Sequence, residues 1–172
     1  MTDEPVRQFL STADVKRLIA DPSPSVRADT SAKVADHFSD GALSDAERAI
    51  AEDIFRALAK DVEVRVREAL STHLKNSPDL PHDVALELAR DVDSVALPML
   101  KFSEVLTQSD LIEIVRENSG AKQVAIAQRP TVPSKVADAL IDTRNEKAVA
   151  RLVANEGAKL TETHLGRVVE EY

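Results

Sequence analysis

The chain has no cysteine and no tryptophan, one tyrosine, four phenylalanines and only four glycines in 172 residues. Without cysteine there is no disulfide, no thiolate metal ligand, no cysteine nucleophile and no thioether attachment point. Aromatic residues at 3% leave the core to leucine, valine, isoleucine and alanine, side chains that let packed helices approach closely. The scarcity of glycine excludes phosphate-cradling loops: neither a Walker nor a dinucleotide fingerprint occurs, and no serine sits in a Gly-x-Ser-x-Gly elbow. No apolar run approaches the ~18 residues of a membrane span. Met1-Thr2-Asp3-Glu4-Pro5 offers no basic segment with an apolar stretch behind it, so no signal peptide is read and the expected compartment is the cytoplasm. The formal net charge of -8 disfavours nucleic acid, because such binders gain most of their affinity by neutralising phosphates.

What the chain does have is a recurring phrase: an apolar pair, a small or charged residue, then an acid. It reads Leu18-Ile19-Ala20-Asp21, Leu58-Ala59-Lys60-Asp61, Leu88-Ala89-Arg90-Asp91, Ile114-Val115-Arg116-Glu117 and, more loosely, Ala139-Leu140-Ile141-Asp142. A short way behind each copy a valine opens another apolar stretch: Val26, Val66, Val95, Val124 and Val149. This is a helix end, a tight turn and a second helix. Units recurring at roughly 25–45 residues are too small to bury their own apolar faces and do so only by stacking.

The opposite end of each unit is marked by Leu43-Ser44, Leu80-Pro81, Leu106-Thr107, Val132-Pro133 and Leu160-Thr161. An apolar residue followed by Ser, Thr or Pro is how a helix starts, with a hydroxyl capping free N–H groups or a proline where a missing donor costs little. Ser44 with Glu47 has capping-box spacing, Thr107 with Asp110 has a weaker version, and Leu106 with Leu111 and Leu160 with Leu165 are placed as hydrophobic staples. First helices of each pair are predicted near 12–20, 44–60, 82–90, 107–117 and 133–142. Their partners are predicted near 24–38, 63–75, 94–101, 120–128 and 145–155, with a terminal helix near 161–171. Pro98 falls inside one of these, and an interior proline costs about 3 kcal/mol, so that helix is expected to start late or to kink.

The turn Asp21-Pro22-Ser23-Pro24-Ser25-Val26-Arg27, repeated as Asp61-Val62-Glu63-Val64-Arg65-Val66-Arg67, resembles the inter-helix turn of HEAT repeats, where an acid ends the first helix and Val-Arg opens the second. The wider pattern resembles an uncharacterised bacterial family of HEAT-like proteins, a domain of unknown function. That likeness rests on Leu88-Ala89-Arg90-Asp91, on Val105-Leu106-Thr107 leading into Asp110-Leu111, on Ala125-Ile126-Ala127-Gln128-Arg129-Pro130, and on Leu152-Val153-Ala154-Asn155. The resemblance implies an all-α fold, a right-handed α-α superhelix of about five helix pairs plus a terminal helix, over residues 1–172 as a single HEAT-like domain. It implies an interaction module and supplies no reaction. A helical run into Glu170-Glu171-Tyr172 without a C-cap fits the N-terminal part of a longer protein.

Asp21 with Arg27 and Asp61 with Arg67 read as a ladder of ion pairs between repeats, structural in role. His37, His73, His82 and His164 fall at different phases of different repeats, so no metal site is expected, and no cofactor. The carboxylates are periodic, as solvated helix faces require, and no catalytic residues are expected.

One stretch reverses the sign of the chain: residues 114–159 carry eight cations against five acids, a net of +3. In HEAT-like stacks the second helices line the concave surface, and Lys122, Arg129, Lys147 and Arg151 lie on or at the end of two such helices. With Arg116 and Asn155 they form the candidate partner-binding set, suited to an acidic or phosphorylated segment because Arg presents bidentate geometry to either anion. Asn155 reads first as a helix end before Glu156-Gly157, since Asn tolerates the left-handed conformation there. The second reading follows armadillo-type stacks, in which inner-helix asparagines hold the backbone of a bound peptide. The leading expectation is a monomeric, non-enzymatic adaptor that binds another protein on its concave face. The alternative is a HEAT-like nucleic-acid-binding protein or DNA glycosylase-like enzyme, against which stand the missing tryptophan, the single tyrosine at the end and the acidic charge.

Overall fold

Several helix starts in this chain are set by side chains that close on the backbone. The structure, a computed structural model, describes residues 12–117 and 120–172, and every regular element in them is α-helical. The N-terminal reading of Met1 to Pro5 lies outside the described residues. At α3 (Asp45–Leu58) the Ser44 hydroxyl accepts the Glu47 N–H while the Glu47 carboxylate accepts the Ser44 N–H at 2.9 Å, a complete capping box. At α7 (Gln108–Glu117) Asp110 takes the same role, its Oδ2 accepting the Thr107 N–H at 2.7 Å. Each such cap stabilises its helix by about 1 kcal/mol. At α11 (Glu162–Glu171) Thr161 is the cap and a histidine stands where an acid is usual, His164 Nδ1 accepting the Thr161 N–H at 3.0 Å.

The remaining helices are α1 (Thr12–Ala20), α2 (Pro24–Ser39), α4 (Val64–Leu74), α5 (His82–Ala89), α6 (Asp93–Phe102), α8 (Ala121–Ala127), α9 (Ser134–Asp142) and α10 (Glu146–Val153). All follow the predicted segments to within a residue or two at each end. The expected late start at Pro98 is corrected: α6 begins at Asp93 and carries the proline inside the helix. The Ser94 carbonyl, which an N–H at position 98 would have taken, belongs to an exposed residue, where water can serve it.

The helices fall into two rows. The even-numbered helices pack each on the next, from α2 to α10, while the odd-numbered ones approach one another less closely. The odd row is loosest between α5 and α7, which are spanned by long side chains: His82 to Asp110 at 2.7 Å and Arg90 to Glu113 at 2.8 Å. Between the rows runs one continuous apolar core from Leu18 to Leu152. Leu58, Leu70, Leu88, Leu100, Ile126 and Leu140 are fully buried there, each contributing about 1.5–3 kcal/mol. Phe38 and Phe55 meet edge to face at 5.1 Å within it. No helix of the described residues is long and apolar enough to cross a membrane.

Candidate functional site

The repeated acid-turn phrase builds the frame. Asp21 and Asp61 each fold their turn by accepting a backbone N–H two residues on, Ser23 at 2.8 Å and Glu63 at 2.9 Å. Arg27 donates to the Asp21 carbonyl at 2.6 Å and pairs with the Asp61 carboxylate of the following repeat at 2.8 and 3.0 Å. Arg67 repeats the move one step on, donating to the Asp61 carbonyl and pairing with Asp91 at 2.5 and 3.0 Å. The ladder expected from sequence therefore exists, with each arginine reaching forward to the next repeat's acid rather than to its own. Burial pushes the Asp61 and Asp91 carboxyls up, but the arginines and the turn N–H groups outweigh it and hold both below the usual carboxylate value.

Beyond Asp91 the ladder stops, because the residue after the marker valine changes from Arg27 and Arg67 to Ala96, Ala125 and Ala150. A different set of bonds takes over. Lys122 on α8 is buried and its ammonium donates to the Asp91 carbonyl at 2.6 Å. Arg129 is buried too, its guanidinium donating to the Leu100 and Ser103 carbonyls at the end of α6, at 2.5 and 2.7 Å. The negative end of the helix dipole suits a cation there, while burial, only partly offset by Glu104, lowers its proton affinity. Asn155 spends both amide hydrogens on the Ala127 and Arg129 carbonyls, each at 2.8 Å, and its oxygen accepts the Gly157 N–H. The left-handed reading of Asn155 is thereby corrected: among the described non-glycine residues only Arg144 has positive φ, at 56°. A short parallel bridge, Val132 N–H to Gly157 and Lys159 N–H to Val132, ties the same two turns.

The six residues singled out by charge and type do not form one surface. Lys122, Arg129 and Asn155 belong to the frame. Arg116 is exposed on α7, in the odd row, beside a shallow hollow of about 280 Å³. Lys147 and Arg151 are both exposed on α10, and only Lys147 lines a larger depression.

That depression is the candidate site. It is an open groove of about 590 Å³ on the even row, crossing α6 and α8 and reaching the end of α4 and the start of α10. Leu97, Pro98, Phe102, Val124 and Ala125 supply its apolar surface. Lys75, Lys101 and Lys147 stand around it, and among the described residues no carboxylate lines it. None of the three forms an ion pair among the described residues. The ammoniums of Lys75 and Lys101 lie 4.9 and 5.4 Å from the Phe102 ring centre, a cation–π arrangement that gathers two charges at one ring. Phe38 and Phe55 are buried in the core, whereas Phe102 is half-exposed at the groove. Lys75, Lys101 and Phe102 escaped the charge count because they lie outside residues 114–159. The signal that finds Lys101 and Phe102 is the awkward Pro98 with a Lys-Phe pair three and four residues behind it; it does not point to Lys75.

Residues 95–172 match the model of a family described as an uncharacterised protein conserved in bacteria (DUF2336). No curated protein and no solved structure matches the chain. The matched stretch runs from the third residue of α6 to the end of the chain. It therefore contains the backbone-directed locks of Arg129 and Asn155, Lys122 without its acceptor Asp91, and most of the groove, and it excludes the Arg–Asp ladder and Lys75.

The other polar clusters are spoken for. A hollow of about 680 Å³ beside α5 is lined by Asp61, Arg67, Asp83, Arg90 and Asp91, yet Arg27, Arg67, Arg56 and Glu113 already neutralise those groups. His73, His82 and His164 each meet one aspartate of a neighbouring helix, Asp36, Asp110 and Asp138, at 2.7 Å. Among the described residues no three His, Asp or Glu side chains are placed to hold a metal ion.

Proposed function

We propose that the chain is a HEAT-like solenoid, a right-handed α-α superhelix, that works as a non-enzymatic interaction module and meets a partner protein on its even-helix face. Closer packing along the even row than along the odd row supports the curvature, because in a bent stack the inner helices are nearest. The observation that carries the reading is the groove on that inner face: apolar, open and, among the described residues, free of carboxylates in a chain of 30 acidic residues. Exposed apolar surface rimmed by polar groups marks a place where another molecule sits. Binding there needs no chemistry beyond surface complementarity.

The test is a photo-crosslinking residue installed in the producing cell, at Gln128 in the groove or at Ser109 on the odd row. Specific adducts with a protein from position 128 and none from 109 are expected. Adducts from 109 alone, or from neither position, contradict the reading.

A further inference from the structure

We infer that the groove across α6 and α8 receives an acidic segment of the partner that carries one aliphatic or aromatic side chain. This rests on the interaction-module reading above and adds the chemistry of the occupant. The apolar side chain seats on Leu97, Pro98 and Val124, and carboxylates on either side of it meet Lys75, Lys101 and Lys147.

Charge and apolarity are both needed to explain this lining. Several arginines elsewhere in the molecule carry their own acid: Arg56 to Asp83 at 2.8 Å, Arg90 to Glu113 at 2.8 Å and Arg167 to Asp142 at 2.7 Å. Around the groove three lysines are gathered on one apolar surface, with no acid in its lining among the described residues. A purely apolar occupant would strip water from those ammoniums and leave them without a counter-charge, which is costly. A purely anionic one would gain only exposed pairs, each weak, while meeting a protein of net charge -8. An acidic segment with an apolar anchor satisfies both halves of the surface.

The shape and the kind of cation narrow it further. Small ligands are held by burying most of their surface, which an open groove spanning several helices does not do, whereas a polypeptide can lie along it. Lysine heads are mobile point charges that tolerate carboxylates at varied positions, and the rim has no arginine fork of the kind that grips phosphate bidentately. Nucleic acid would need a continuous run of phosphate contacts, which three lysines on an acidic protein do not supply.

The probe is a phage-displayed library of random peptides selected on the full chain, followed by anisotropy titration of the selected peptide. Expected are sequences with acidic residues flanking an aliphatic or aromatic one. Two changes are each expected to weaken binding by about tenfold: replacing the peptide's acids by Gln, and the triple variant Lys75→Gln, Lys101→Gln, Lys147→Gln. A triple Lys→Arg variant is expected to retain binding. The peptide change leaves the protein untouched, so the result stands even if the triple variant folds poorly. Enrichment of neutral or basic peptides, no enrichment, indifference to the peptide's acids, or tighter binding of a single-stranded oligonucleotide overturns the inference. Excess selected peptide is expected to abolish the crosslinks from position 128. Crosslinks that persist leave the module reading intact and overturn the acidic occupant, whereas peptide binding without any cellular crosslink does the reverse.

Discussion

Between α1 and α6 the inter-helix turns are joined through guanidinium–carboxylate pairs, while the turns flanking α8 and α10 are joined through Lys122, Arg129 and Asn155, which donate to backbone carbonyls; carboxylate pairs return where α11 meets α9. Both devices do the same work, holding one turn against the next, but they leave different surfaces behind. In the first half each frame arginine brings an aspartate with it, so the region stays acidic or balanced. In the second half Lys122 and Arg129 need no acid, and the even face beside them keeps its lysines without counter-charges. A frame that draws on the backbone for its acceptors thus releases the surface from carrying matching carboxylates.

The comparison can be broken first at the tightest lock. A Cβ at Gly157 would fall 1.9 Å from the Pro130 carbonyl oxygen, and backbone cannot step aside as a flexible side chain does. Gly157→Ala is expected to cost about 3 kcal/mol, seen as a lower thermal midpoint, because it pries apart the turns bridged by Val132 and Lys159. A midpoint near that of the unaltered chain would show that these turns are not a lock. The next effect sharpens the contrast. Arg67→Met strands the Asp91 carboxylate and is expected to cost about 3 kcal/mol. Arg129→Met strands only neutral carbonyls and is expected to cost about 2 kcal/mol, both read from urea unfolding. The reverse order would deny that the halves differ in kind. The smallest effect lies in the second half alone, where Arg144 holds φ at 56°. Arg144→Gly is expected to stabilise by about 0.5–1 kcal/mol, read in the same way.

Helix boundaries were legible in the residues because their determinants are local. Ser44-x-x-Glu47 and Thr107-x-x-Asp110 close on themselves within four residues, and the acid behind each Leu-Ala phrase folds its own turn. The partners of Arg27 and Arg67 were not legible. Their acids lie a full repeat away, at Asp61 and Asp91, a distance that only stacking removes. Lys122 and Arg129 looked like surface cations for a related reason: their acceptors are carbonyls, which every residue has, so no sequence pattern betrays the burial. The groove was half visible. Lys147 fell inside the positive stretch, but Lys75 and Lys101 reach it from α4 and α6, and a charge count along the chain sums neighbours in sequence rather than in space.

The difference between the halves is most directly tested by hydrogen exchange, followed helix by helix as the pH is lowered and corrected for intrinsic rates. Asp61 and Asp91 are held below their ordinary value of about 3.9 in the folded state. The stability they contribute is therefore full above that value and lost as the pH falls through the depressed one. The bonds that fix α8 and α10 to their neighbours through Lys122, Arg129, Asn145 and Asn155 include no carboxylate. The expected result is that α2 and α4 lose protection in the acid range while α8 and α10 retain theirs. Loss of protection in α8 and α10 first, or in all four together, would contradict the account.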